Sequence, residues 1–146
     1  MQSSSSEGRV KLPDLDISAE KVAWVILRAR EYESKVAPFD DGDTEESDEQ
    51  FGSILENRAG DPTARELIGF IRGLNTDEQA NLVAIAWIGR GTYDAEDWDE
   101  ALATARAEAT TPTWRYLLGM PELADFLEDG LEALGISPTE LEEEIS

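Results

Sequence analysis

One apolar run limits the folds open to this chain. Residues 82–88 read LVAIAWI, seven apolar positions in succession. The run is too short to span a bilayer, which takes about 20 residues. It lies inside NTDEQANLVAIAWIGRG, residues 75–91, whose ends carry helix signals. Thr76 and Gln79 have the spacing of a capping box. Gly89 and Gly91 follow the last apolar turn, with Arg90 near the negative end of the helix dipole. A helix that is apolar on nearly every side has to be surrounded by other elements. The remaining segments are therefore expected to wrap around it.

Those segments are themselves helical in pattern. Ser18 can cap a first helix with Glu20 in its first turn. Val22, Val25, Ile26, Ala29, Tyr32 and Val36 then fall on one face, and Pro38 ends it. Asp61 at the N-cap and Pro62 at the first helical position open a second helix, with Ala64, Leu67, Ile68, Ile71 and Leu74 as its stripe. After the central helix, Asp94 caps the next, and Glu96, Asp97, Asp99 and Glu100 sit near its positive end. Trp98, Ala101, Leu102, Ala105 and Ala109 give that helix its face. Thr111 and Pro112 open a short helix that packs Trp114, Leu117 and Leu118 and stops at Gly119. Pro121 starts another, with Leu123, Phe126, Leu127, Leu131 and Leu134 on one face, and Gly135 stops it. Ser137 and Pro138 open a last acidic segment. No alternating run suggests a strand. The fold class expected is all-α, a compact orthogonal bundle of about six or seven helices, with a disordered N-terminal tail and an acidic loop. Residues 1–16 would be the tail, 17–136 a single helical domain containing the loop at 38–50, and 137–146 an acidic C-terminal segment. A chain of 146 residues suits one such domain.

Composition narrows the chemistry. Cysteine and histidine are both absent. That removes disulfides, zinc–thiolate sites, a catalytic cysteine and an imidazole base. The lysines are Lys11, Lys21 and Lys35 alone. Of a net charge of −21, residues 38–50 contribute seven acids and no base, and residues 121–146 nine acids and no base. A surface of that sign repels nucleic acid, whose binding depends on neutralising phosphates, and anionic membranes. It suits a basic protein partner, cations, or simple solubility. The loop FDDGDTEESDEQF at 39–51 has a superficial likeness to a calcium loop but lacks the EF-hand order of acids, Gly and Glu, so no metal site and no cofactor are expected. The N-terminus lacks the apolar stretch of a signal peptide, and a cytoplasmic protein is expected.

The stretch WIGRGTYDAEDW, residues 87–98, is first of all a helix stop followed by a helix start. It has neither phosphate-loop spacing nor a preceding strand. Capping leaves one thing unexplained, an arginine between two glycines with acids close behind it. A salt bridge from Arg90 to Asp97 or another acid of the following helix is the expectation. Arg90, Asp97, Trp98 and Tyr116 are the candidate binding residues; no residue is assigned a catalytic role.

Between residues 74 and 135 the wording LNTDEQANLVAIAWIGRG, DWDEALATAR and RYLLGMPELADFLEDGLEALG resembles a small bacterial family known as domain-of-unknown-function family 3775. The pattern is Glu78-Gln79, then Gly89-Arg90-Gly91, then Tyr116-Leu117-Leu118-Gly119 with Pro121. The resemblance implies a helical, cytoplasmic, bacterial protein; it brings no known activity, so there is no catalytic residue to transfer.

The expected function is a helical binding or regulatory module, not an enzyme, presenting an acidic surface to a basic or cationic partner. A carboxylate-based enzyme with a site around Arg90 and Asp97, using Asp94 or Glu78 and Tyr116, is the main alternative. An acidic DNA mimic is another, and would line its acids along one ribbon. DNA binding by the helical hairpin at 62–90 is disfavoured by its apolar second helix and by the charge.

Overall fold

A computed structural model describes residues 15–35, 62–108, 111–138 and 143. Six α-helices follow one another: α1 (Ala19–Lys35), α2 (Pro62–Gly73), α3 (Thr76–Arg90), α4 (Trp98–Ala107), α5 (Thr113–Leu118) and α6 (Leu123–Ala133), with a 3-10 turn, Ala95–Asp97, leading into α4. Among the described residues there is no strand, and no helix is long and apolar enough to cross a membrane. The expected tail up to residue 14, the acidic loop at 38–50, and most of the segment after Pro138 lie outside the described residues, as do Val36, Pro38, Asp61 and Ala109.

The central position expected for the apolar helix is observed. Every residue from 82 to 88 is buried. α3 packs most extensively on α6, next on α4, and also on α5, while α1 covers α6 and α2. The faces read from periodicity point inward: Val22, Val25, Ile26, Ala29 and Tyr32 on α1, Ala64, Leu67 and Ile71 on α2, and Leu123, Leu127 and Leu131 on α6 are all in the core. α1 meets α2 through Trp24 and Phe70, whose rings lie 4.4 Å apart. Arg28 stacks over Trp24 at 5.3 Å and reaches Glu66 at 3.7 Å.

Two glycines allow a close helix contact. A Cβ on Gly89 would lie 1.7 Å from the Phe126 carbonyl oxygen, and one on Gly130 would lie 2.1 Å from that of Ile85. The α3 and α6 backbones thus touch where both lack side chains. Gly89 belongs to the last turn of α3, not to its stop signal.

The stop is Gly91, at φ 91°. Its N–H donates to the Ile88 carbonyl at 3.1 Å and that of Thr92 to Trp87 at 3.0 Å, the paired bonds of a Schellman motif. Gly135, at φ 89°, ends α6 in the same way through Leu131 and Glu132. Ser18 caps α1 as expected, its Oγ accepting from the Lys21 N–H at 3.1 Å.

Three expected helix starts are displaced. The capping box of α3 is formed by Asn75 and Glu78, not by Thr76 and Gln79. The Glu78 N–H donates to Asn75 Oδ1 at 2.7 Å, and the Asn75 N–H to Glu78 Oε1 at 3.0 Å. Gln79 turns back instead, its amide donating to the carbonyls of Ile71 and Leu74 and so closing the end of α2. Pro112, with extended ψ, precedes α5 as its N-cap, and Thr111 makes no cap. α6 begins at Leu123, because Glu122 takes the left-handed conformation (φ 63°) that turns the chain after Pro121.

Long-range polar contacts tie the ends of the bundle together. Asn81 is fully buried. Its Oδ1 accepts from the Asp16 N–H at 3.0 Å and its Nδ2 donates to the Asp77 carbonyl at 2.9 Å. Asp16, at the end of the expected tail, is therefore fastened to α3, with Ile17 buried beside it. Arg30 on α1 pairs with Asp125 and Glu128 on α6.

Candidate functional site

Along α3, Thr76, Ala80, Val83 and Trp87 recur at spacings of four, three and four residues, one stripe of a helix. Leu82, Ala84, Ile85 and Ala86 have no exposure at all, whereas Ala80 and Val83 keep 8% and Trp87 7%. The difference marks the side of α3 that no helix covers fully. Ala105, Arg106 and Glu108 at the end of α4, and Thr111, Thr113 and Tyr116 at the start of α5, face this stripe. Together they enclose a groove of about 520 Å³.

The groove has an apolar floor and polar ends. Ala80, Val83, Trp87 and Ala105 make the floor, and threonines form much of the rim. At one end the Trp87 indole N–H donates to the Tyr116 hydroxyl at 2.9 Å. Tyr116, 38% exposed, is the one large exposed apolar side chain among the described residues. Trp87 also packs on Tyr93, with ring centroids 5.9 Å apart, and the Tyr93 hydroxyl meets that of Thr104 at 3.3 Å. At the other end Arg106 pairs with Asp77 at 3.2 Å and with Asp16 at 3.5 Å. Ten residues of α3 separate Asp77 from Trp87, about 15 Å at 1.5 Å per residue. Arg106 thus faces two carboxylates, and Glu108 adds a third acid to the rim.

The residues singled out from sequence are not gathered in one place. Tyr116 lines the groove; Arg90, Asp97 and Trp98 do not. Trp98 is a core residue. The expected salt bridge from Arg90 is not formed: among the described residues Arg90 makes no ion pair, and its Nε donates to Thr92 Oγ1 at 3.0 Å. The Schellman turn explains this. It folds Thr92 back over the end of α3, within reach of Arg90. Asp97 is engaged locally, its carboxylate accepting from the Asp94 N–H at 3.4 Å across the 3-10 turn. Apart from Tyr116, sequence reasoning missed every residue of the groove, Asp77, Val83, Trp87 and Arg106 among them. The small residue at Ala80 within the stripe was the available signal, hidden because the whole segment is apolar.

Among the described residues, two carboxylates have shifted pKa values, and both hold helix ends. Burial raises the Glu33 carboxyl above its ordinary value, against the lowering effect of backbone N–H groups at the start of α6. The Ala124 N–H donates to it at 3.3 Å. Glu78 is lowered by its hydrogen bond from Lys21, at 2.7 Å, and by that from the Asn75 N–H. Neither lines the groove. Among the described residues no group of three or more acids is placed to hold a metal ion.

A family model described as protein of unknown function (DUF3775) matches residues 64–136, half of the chain. The chain belongs to the DUF3775 family. The matched segment runs from the first turn of α2 to the end of α6 and contains every residue that lines the groove. α1 lies before it. No curated protein and no solved structure matches the chain.

Proposed function

We propose that this DUF3775 domain is a binding module whose groove receives a basic, partly apolar segment of a protein partner. The groove between α3, α4 and α5 carries this reading, because its floor is apolar while its charged rim is acidic on balance. An apolar side chain on the floor would be removed from water. A neighbouring lysine or arginine would meet Glu108, while Asp77 and Asp16 share Arg106 between them. The enzyme alternative draws less support. Arg90 and Asp97 do not line the groove, and Glu33 and Glu78 have structural partners.

Nuclear magnetic resonance of the labelled full chain tests the reading with a capped peptide of alternating lysine and leucine. The Trp87 indole N–H should move saturably, and more weakly at high salt, where the charge attraction is screened. A glutamate–leucine peptide should leave it in place. Equal shifts with both peptides, or no shift at Trp87, would overturn the proposal.

A further inference from the structure

We infer that the groove holds its partner segment in extended form, reading the backbone through the Tyr116 hydroxyl and the Gln79 side-chain carbonyl. The inference rests on the groove being a peptide site. Its own support is a pair of polar groups held fixed toward its two ends. The Tyr116 oxygen accepts from the Trp87 indole N–H at 2.9 Å. That bond leaves the phenol its own proton to give, and accepting polarises the O–H. The Gln79 amide nitrogen donates to the carbonyls of Ile71 at 3.1 Å and Leu74 at 2.9 Å. Two carbonyls can be met only by the nitrogen end, so the amide is oriented and its oxygen lies on the side away from them. Both residues line the groove. Among the described residues nothing accepts from the Tyr116 hydroxyl or donates to Gln79 Oε1.

The two rims differ in chemistry. Arg106 and Glu108 on the α4 side are charged, whereas Thr111, Thr113 and Tyr116 on the α5 side are not, and neither is Gln79. α5 packs on both α2 and α3, and Gln79 reaches the end of α2, so Gln79 and Tyr116 share one side of the floor. Gln79 and Trp87 are eight residues apart on α3, about 12 Å at 1.5 Å per residue. That is the span of about four residues of extended chain at ~3.3 Å each. In an extended chain the N–H and C=O of one residue point to the same edge, and those of its neighbour to the opposite edge. Residues four apart share an edge, so one gives its N–H to Gln79 while the other offers its C=O to Tyr116. Side chains stand away from that edge, and alternate ones meet Ala80, Val83 and Ala105 on the floor. Main-chain bonds of this kind supply affinity and leave selection to the side-chain contacts. Both groups are preorganised by their bonds to Trp87, Ile71 and Leu74, which lowers the ordering cost of binding.

The test titrates the labelled full chain with the capped lysine–leucine peptide and two N-methylated forms, one methylated at every leucine nitrogen and one at every lysine nitrogen. A slip of two residues leaves each set on its own edge. One form should bind as the unmethylated peptide does, and the other at least tenfold more weakly. Tyr116→Phe should bind the unmethylated peptide about three- to tenfold more weakly, the worth of one hydrogen bond. A further peptide carries sulfur in place of the carbonyl oxygens on the sensitive edge, which makes them weaker acceptors. It should lose at least threefold in affinity for the parent chain and nothing for Tyr116→Phe, whereas a merely structural role of Tyr116 would leave the two losses equal. Equal binding by the two methylated forms would overturn the inference while leaving the groove a peptide site. A Tyr116→Phe chain that still distinguishes oxygen from sulfur would do the same. An unmethylated peptide that leaves the Trp87 resonance in place overturns the binding proposal itself, and this inference with it.

Discussion

Trp87 on the central helix and Tyr116 on the shortest helix are joined by one hydrogen bond, indole N–H to phenol oxygen at 2.9 Å. Both residues line the groove, so water entering it can accept from the indole once the hydroxyl is removed. Tyr116→Phe should lower stability by about 0.5–1.5 kcal/mol, the net worth of an ordinary hydrogen bond. Trp87→Ala should lower it by about 3–5 kcal/mol, as for other buried large aromatics. Urea unfolding followed by circular dichroism measures both. A Trp87→Ala loss below ~1 kcal/mol would contradict the central place of α3.

Gly89→Ala and Gly130→Ala should each be strongly destabilising, by about 3 kcal/mol or more, above the usual overpacking range because the obstacle is backbone. Gly69 is the control. It lies exposed within α2, with open space where a Cβ would go. Gly69→Ala should stabilise by about 0.5–1 kcal/mol through helix propensity. Thermal melts of the three variants would separate the outcomes by sign.

Arg90→Ala should cost less than ~1 kcal/mol, since only a helix-end charge and an exposed bond to Thr92 are lost. Gly91→Ala should cost about 1 kcal/mol or more, because its φ of 91° is unfavourable for a residue with a Cβ. Denaturant titration of the pair should rank the glycine above the arginine. The reverse order would show that Arg90 has a partner the fold depends on.

Stability should respond to acid in two opposed steps. The folded-state pKa of Glu33 lies above the ordinary 4.5. Its contribution is full below that value and is lost as pH rises through the folded pKa. Glu78 is lowered below 4.5, so its contribution is present above that value and is lost as pH falls through its folded pKa. Glu33→Gln should therefore flatten the stability profile above pH 4.5, and Glu78→Gln should flatten it below. Unfolding free energies measured across this range check the two slopes separately. A Glu33→Gln chain with an unchanged slope above pH 4.5 would show that Glu33 ionises freely.

Periodicity disclosed the helices because one physical cause, burial of a stripe, acts within each segment. Val22 through Tyr32, Leu67 and Ile71, and Leu123 through Leu131 face inward as their spacing requires. The helix ends were less legible. Asn75 outcompetes Thr76 as the cap of α3, and both residue types suit that position. Glu122 adopts a backbone conformation that its residue type does not advertise. The groove was legible only at Tyr116. Its other parts depend on which side of α3 is left uncovered, and that is settled by how α4 and α5 pack. Arg90 drew attention through its neighbours in sequence, whereas its partner is set by the fold of the turn.

Because α3 and α6 meet backbone to backbone at Gly89 and Gly130, neither helix can roll or slide without collision. The pair should therefore act as a strut, holding the wall of the groove that α3 supplies to one length and pitch. Any give must come from the opposite wall, where α4 and the six-residue α5 rest on α3 through side chains. On the proposed reading, such a groove would be a ruler in one direction and a clamp in the other. It would accept side chains of varied bulk, while holding the spacing between them to the repeat of α3.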